Sequence, residues 1–580
     1  MLKLQSIKPR HGSSETPKWL MGIGPWLLHL GPCVPYLLLA CTVYSVFAET
    51  VDDPYITFRY AANLLAGHGP VFNIGERVEG FTSPLHLLLS TLLLNIAPSV
   101  DILFKAKCAS IVFAFVMLAQ TGTLARRSGL HLREVLLAQA LLALNINFAL
   151  AAVNALETTM YGSLLLGSLL LFQGECRRGQ GIWSGLLLVA ALQARPEAFL
   201  TVAMLLLVRV FWMRRRKLPW GFAAGWLLAF VLPVCLAEIV RWGYYGQLLP
   251  NTYFAKGAPL GRSLVIGAAY LLKATAPGHV AITLFKPFFD NLARLNPHNI
   301  LAFHSLVQKN LRSDFFYIVT PILFWGLALS GFAVKLGGRA KPRLSALIGL
   351  AVLAAVVVFV LRAGGDWMYG WRFVAPTLPV IAVAQCFGVR ALSRWLTRRK
   401  SHPAPVSTLL NTRGLCGAIV AAVWLISACK TMHYPWGLAH FSTQGSRLLQ
   451  VSEGYGPLWV KGERYIQSLP HGSTLAYSEM GYSGYSNLDK NMLDVRGLTD
   501  REIAHLPMRY KNISGVVDQQ WYLPSHPMYQ ILERRKPDTI MSFSDDPATA
   551  SLKGYRRTDV LRMPTNDKQG LSMVYVYRRL

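Results

Sequence analysis

Glu49 to Pro84, ETVDDPYITFRYAANLLAGHGPVFNIGERVEGFTSP, is the stretch on which the reading of this chain turns. It follows the first long apolar segment and holds Glu49, Asp52, Asp53, Glu76 and Glu79, five of the 29 acidic residues in the whole protein. Two carboxylates side by side at a membrane surface suit a site that takes a proton from a hydroxyl or holds a cation. Asp53 reads as an N-cap and Pro54 as the first helical residue, and the helix runs on until Gly67 and Gly69 stop it. Within it Phe58, Ala62 and Leu65 make one face, and Tyr55, Arg59 and Asn63 another at four-residue spacing. A cap gives Asp53 a structural task. Asp52 has none in the sequence and is the first candidate for chemistry.

Outward from this loop the chain is apolar. It is 53% hydrophobic and 15% charged, with a mean hydropathy of +0.35, too apolar for a water-soluble protein of 580 residues. The 58 Lys and Arg exceed the acids by 29, and in a membrane protein that excess collects in cytoplasmic loops facing anionic lipid. No nucleic-acid partner is implied. The eight cysteines lie in apolar segments or, for Cys176, a basic loop, and show neither a disulfide framework nor zinc spacing.

Apolar segments near 32–48, 104–124, 134–151, 159–173, 182–194, 197–212, 220–240, 315–334, 344–361, 373–390 and 413–430 give about eleven spans. Basic clusters orient them: the N-terminus, Arg126-Arg127 with Arg133, Arg177-Arg178, Arg214 to Lys217, Lys335 to Arg343, and Arg390 to Lys400. These all fall on the cytoplasmic side only if the short segment Leu85 to Ala97 does not cross, so it reads as re-entrant or lying on the outer surface. The expected organisation is a cytoplasmic segment 1–31, an all-α membrane domain 32–430 whose first outer loop is 49–84, and an outer α/β domain 431–580. Thr474-Leu475-Ala476-Tyr477, Met492 to Val495 and Met573 to Tyr577 are the strand-like runs of that last domain.

Four outer turns carry charge that a plain turn does not need. Glu157, in Leu156-Glu157-Thr158, opens a helix, where a carboxylate also favours the helix dipole. Arg195-Pro196-Glu197 breaks an apolar stretch with a charge pair. Pro250-Asn251-Thr252-Tyr253-Phe254-Ala255-Lys256 adds one lysine, and Gly364-Gly365-Asp366-Trp367-Met368 with Arg372 sets a carboxylate, an aromatic and a cation at the lip of a span. Such a collection fits transfer of a group from a lipid-linked phosphate donor to a polar acceptor. Carboxylates activate the acceptor hydroxyl, and Lys256, Arg372 or Arg59 hold the departing phosphate. Tyr55, Trp367 and Trp371 stack on a sugar or line a groove for the lipid tail.

At these residues the chain resembles the membrane glycosyltransferases of the GT-C superfamily, and within them the terminal arabinofuranosyltransferases of bacterial cell walls. The resemblance lies in Asp52-Asp53-Pro54-Tyr55-Ile56-Thr57-Phe58-Arg59-Tyr60, Val71-Phe72-Asn73 and Glu76 to Thr82. It continues through Leu156-Glu157-Thr158, Arg195-Pro196-Glu197, Leu249 to Tyr253, Gly364 to Met368 and Asp494 to Asp500. It implies a polyprenyl-phosphate sugar donor, with arabinofuranose as the sugar and a cell-envelope glycan or surface protein as acceptor, on the outer face of a bacterial inner membrane. Asp52 takes the role of the family's first-loop aspartate. Asp53, Tyr55, Arg59, Glu79, Glu157, Arg195, Asn251, Lys256, Asp366, Trp367 and Arg372 are expected around it, and the C-terminal domain helps to bind acceptor. A divalent cation on Asp52 and Asp53 is left open, since hard cations want more oxygens than two carboxylates supply. The anomeric outcome is open too, because inversion and retention place their carboxylates differently. The rival readings are a transferase for another polyprenyl-linked sugar, and a flippase or transporter of lipid-linked glycans.

Overall fold

The computed structural model describes residues 31–47, 49–256, 260–275, 314–337, 344–366, 371–398, 456–507, 524–542, 553–564 and 571–580. The N-terminal segment, the apolar segment 413–430 and Trp367 lie outside them.

The helices of the first four hundred residues follow the apolar segments closely. They are α1 (Val34–Ser45), α2 (Asp53–Leu65), α3 (Pro84–Asn95), α4 (Ile102–Arg127), α5 (Leu132–Ala143), α6 (Ile146–Val153), α7 (Thr158–Arg178), α8 (Trp183–Ala194), α9 (Ala198–Arg216) and α10 (Gly221–Tyr245). After the short α11 (Asn251–Ala255) come α12 (Leu260–Thr275), α13 (Asp314–Gly337), α14 (Leu344–Ala363) and α15 (Leu378–Arg398). Among the described residues four helical stretches are long and apolar enough to cross a bilayer: α4, α10, α14 and Ala375–Trp395. The segment expected as one span over 134–151 is a pair, α5 and α6, bent by 60°. Asn145 causes the break, because its side chain accepts from the Phe148 amide (3.1 Å) and so caps a second helix inside the apolar run. If the bent pair is one span the count is five. Helix α3 has 12 residues, roughly 18 Å at 1.5 Å per residue, well short of a hydrocarbon core about 30 Å thick.

Basic residues gather at one end of this bundle. Arg177 donates to the Arg127 carbonyl (2.8 Å), Arg127 to that of Leu170 (2.7 Å), Lys335 to that of Ser128, and Arg390 Nε to Glu134 Oε1 (2.7 Å). Among the described residues, five of the six clusters that the sequence assigned to a single side thus meet at a single end, Arg216 joining through the Arg177 carbonyl (3.4 Å). Inside the apolar region Glu175 and Arg209 form a fully buried pair (3.0 Å), and Ser184 donates to Glu175 while accepting from the Trp226 indole (2.7 Å). A buried ion pair survives only when its remaining hydrogen-bonding capacity is filled in this way.

The C-terminal domain is a mixed five-stranded sheet with helices α16 (Gly456–Gln467), α17 (Tyr482–Tyr485), α18 (Arg501–Ala504) and α19 (Pro527–Arg535). Strands β1 (Thr474–Tyr477), β2 (Asn491–Asp494), β3 (Thr539–Ser542), β4 (Tyr555–Pro564) and β5 (Leu571–Arg579) lie in the order β2-β1-β3-β5-β4. β1 runs parallel to β2 and β3, and β5 is antiparallel to β3 and β4. One face of this sheet shares a core with the first loop: Ile56, Tyr60, Phe72 and Phe81 pack with Ile466, Leu475, Met541 and Val576. The acidic loop is therefore clamped between the helix bundle and the sheet.

Candidate active site

The two aspartates at the start of α2 part company. The helix begins at Asp53 with Pro54 behind it, so Asp52 occupies the cap position, and its side chain makes no capping bond. The expected cap role of Asp53 is corrected accordingly. Asp52 is turned instead toward the C-terminal domain, where its carboxylate accepts from the backbone amides of Gly481 (2.9 Å) and Tyr482 (2.7 Å). Burial first, then the negative charge of Glu479, push its carboxyl up to about 7, while the Tyr482 amide pulls the other way. Asp53 faces the bundle. Its side chain is 24% exposed, and Oδ2 stands 3.7 Å from Arg372 Nη1.

Arg372 is the hub of the cluster that follows. Besides Asp53 it pairs with Asp366, whose Oδ1 lies 3.3 Å from Nη2, so the turn 364–372 closes on itself through charge. Beside it Arg195 pairs with Glu157 (Nη1 to Oε1, 2.6 Å) and with Glu197, and its guanidinium sits 5.1 Å from the centre of the Phe373 ring. Three of the four outer turns and the start of α2 thus meet in one place. Asp53, Glu157, Glu197 and Asp366 face two guanidinium groups, which leaves negative charge in excess. Glu197 keeps one buried carboxylate oxygen without a partner. A buried cluster short of positive charge binds a proton or a polar ligand readily, because either lowers the cost of holding unpaired carboxylate away from water.

The other expected site residues go elsewhere. Arg59 is buried and donates to the carbonyls of Phe72 (2.7 Å), Gly484, Asn487 (3.0 Å) and Lys490 (2.7 Å) and to Asn73 Oδ1 (3.4 Å). All of its N–H groups are occupied, which makes it a brace between loop and sheet with no donor left for a phosphate. Asn251 is a second brace, giving its amide to the carbonyls of Gly497 (2.9 Å), Leu498 (3.0 Å) and Asp500 (3.1 Å). Glu79 is buried with Arg241 Nε at 3.8 Å, and burial pushes its carboxyl up to about 7 against that attraction. Tyr55 packs edge-on against Phe58 and Tyr482 with its hydroxyl unpartnered. Lys256 is exposed just beyond α11.

Sequence reasoning saw Glu197 only as half of a charge pair, and it missed Glu479 and the Asn73 brace. Asn73 exchanges two hydrogen bonds with the Met492 backbone (2.9 and 3.0 Å). Its position in Val71-Phe72-Asn73 was the available signal. Among the described residues no three His, Cys, Asp or Glu side chains gather in a way that would hold a metal ion. Asp52 and Asp53 point to different partners, so the pair does not fit a shared cation.

A family model described as "Domain of unknown function (DUF8728)" matches residues 449–577. The chain is 29% identical over 352 residues to the terminal beta-(1->2)-arabinofuranosyltransferase of Mycobacterium tuberculosis, covering 57% of this chain and 51% of that protein. It is 26% identical over 373 residues to the protein of the same name from Corynebacterium glutamicum, covering 59% and 48%. The chain spans about half the length of these curated relatives. Among solved structures it is similar to ArnT from Cupriavidus metallidurans bound to undecaprenyl phosphate, with a TM-score of 0.49, 10% identity, and coverage of 95% of this chain and 98% of that one. The resemblance carried by the first loop holds as distant homology to the terminal beta-(1->2)-arabinofuranosyltransferases.

Proposed function

We propose that this chain is a GT-C glycosyltransferase that moves a sugar from a polyprenyl-phosphate donor to an acceptor hydroxyl on a cell-envelope glycan or surface protein. Arabinofuranose is the sugar that the sequence likeness favours. In this reading the membrane domain has about eleven spans, the basic end faces the cytoplasm of a bacterium, and the ion-pair cluster and the sheet face outward from the inner membrane. The observation that carries the reading is the division of labour at Asp52 and Asp53. One carboxyl, poised near neutrality, lies one residue from another that orients a guanidinium at the lip of the bundle.

The acceptor oxygen attacks the anomeric carbon of the donor. The bond from that carbon to the phosphate oxygen breaks, the hydroxyl proton passes to Asp52, and polyprenyl phosphate leaves with the electron pair. A base with a pKa near the working pH is half ionised and can take that proton. Arg372, steered by Asp53 and Asp366, meets the charge that grows on the phosphate, with Arg195 behind it. Glu157 and Glu197 are left to hold sugar hydroxyls, and Lys256 the outer edge of the phosphate.

The test is sugar transfer by purified protein from labelled polyprenyl-phospho-arabinofuranose to a pool of envelope glycans, with Asp52→Asn and Asp53→Asn alongside. Transfer by wild type, with a loss of roughly 10²-fold or more in each well-folded variant, is the expected result. Full activity of Asp52→Asn would remove it as base. No transfer from any polyprenyl-linked sugar would remove the reading.

A further inference from the structure

The hydrogen bonds of Asp52, Arg59 and Asn251 to the C-terminal domain, and those Asn73 makes there, all close on one segment, 481–500. Gly481 and Tyr482 give their amides to Asp52. Gly484, Asn487 and Lys490 give their carbonyls to Arg59, Met492 bonds to Asn73 through both backbone groups, and Gly497, Leu498 and Asp500 receive the Asn251 amide. Loop and segment are more than four hundred residues apart in sequence. Gly481 has no space for a side chain, because a Cβ there would collide with both the backbone oxygen and the carboxylate of Asp52. Gly484 and Gly80 are tight to a lesser degree: a Cβ would lie 2.9 Å from the Phe72 ring at Gly484, and 2.7 Å from Thr499 and 3.1 Å from the Leu498 carbonyl at Gly80. Glycines at close backbone approaches let the segment reach the loop where any side chain would hold it off.

We propose that this segment is a positioning part of the active site: the Gly481 and Tyr482 amides fix the orientation of the Asp52 carboxylate, and the Arg59, Asn73 and Asn251 braces hold those amides in place. The inference rests on the glycosyltransferase reading and assigns a task to a domain whose family model carries none. Two amide donors on two different oxygens leave a carboxylate no freedom to rotate, while its remaining lone pairs stay open to a proton. A sheet that only recruited acceptor would have no reason to send its backbone to this side chain. Arg59 then serves the chemistry through the segment it holds, without meeting substrate.

Gly481→Ala is the test, with kcat and donor KM measured per folded molecule. A displacement near 1 Å costs roughly 10²-fold in rate, so kcat is expected to fall by about that factor while donor KM stays within about threefold. A fall in thermal midpoint with unchanged kcat would reduce the contact to structure and overturn the proposal. A second measurement does not depend on activity or on the folding of that variant. Hydrogen exchange at residues 481 and 482, whose amides are bonded to Asp52, is expected to be slow in the wild type and fast in Asp52→Ala. Unchanged protection would mean that Asp52 and the segment do not hold each other. If wild type transfers no sugar, the glycosyltransferase reading fails, and the exchange experiment still reports on the contact.

Discussion

On the side of α2 that faces the sheet, every donor of Arg59 ends on an oxygen, four of them backbone carbonyls, and Asn251 and Asn73 do the same on a smaller scale. On the side that faces the outer turns, Asp53 shares one guanidinium with Asp366, Glu197 keeps an oxygen without a partner, and carboxylates outnumber cations. The two regions begin one residue apart. A seam whose donors all find oxygens is what a structure needs to hold two domains in register, even though Glu79 and Asn251 on it each keep one buried oxygen without a partner. A cluster with charge left over is held at a cost and makes sense when something else is to be bound there. Residues of the same motif, equally charged in the sequence, therefore divide: Arg59 spends every N–H on the seam, whereas Asp52, held by two amides, and Asp53, beside one guanidinium, keep capacity for a further partner.

The largest way to break this contrast is at the seam. Arg59→Met takes the donor from four buried carbonyls and is expected to lower the unfolding free energy by about 3–5 kcal/mol, since each buried acceptor left unpaired costs about 1–3 kcal/mol and some regain water. The loss should appear first as easier proteolysis of the C-terminal domain and a lower denaturant midpoint. A change below about 1 kcal/mol would mean that the carbonyls find other partners and that the brace is incidental. In the cluster the matching substitution is Arg372→Lys, which keeps the charge and loses the fork that spans Asp53 and Asp366. Here kcat/KM should fall roughly 10²-fold with little movement of the midpoint. If stability moves and turnover does not, the cluster is another seam.

The division explains what could and could not be seen beforehand. All ten apolar segments that fall among the described residues are helical, and Thr474–Tyr477 is a strand over its expected length, because both follow from hydrophobic period and local propensity. The cluster was legible for a different reason. Carboxylates and guanidinium groups in turns at the lip of a membrane must find one another, and Glu157, Arg195, Asp366 and Arg372 had few other partners in reach. The seam was not legible. Nothing near Asp52 in sequence announces amides 429 and 430 residues away, so the cap was given to the wrong aspartate, and Arg59 looked like a free cation until its carbonyls were in view. The break at Asn145 failed for the opposite reason, since one side chain with a local capping bond overrode an unbroken apolar run.

The smallest effect tests the seam through its protons. Asp52 and Glu79 both lie on that side, and burial raises both carboxyls to about 7, from ordinary values of 3.8 and 4.5. Between those limits the folded protein holds protons that the unfolded chain has released. Their contribution to stability then falls as pH rises from about 4 toward 7 and levels off above, opposite in sign to an ordinary paired carboxylate. Each group contributes a slope of no more than about 1.4 kcal/mol per pH unit. The thermal midpoint in detergent should therefore be higher at pH 5.5 than at pH 8, and Glu79→Gln should flatten the difference without abolishing it, since Asp52 remains. A pH dependence of the midpoint that Asp52→Asn leaves unchanged would mean that the Gly481 and Tyr482 amides outweigh burial and keep Asp52 ionised throughout. The seam would then hold a fixed charge, and the base of the reaction would have to be sought across the helix at Asp53.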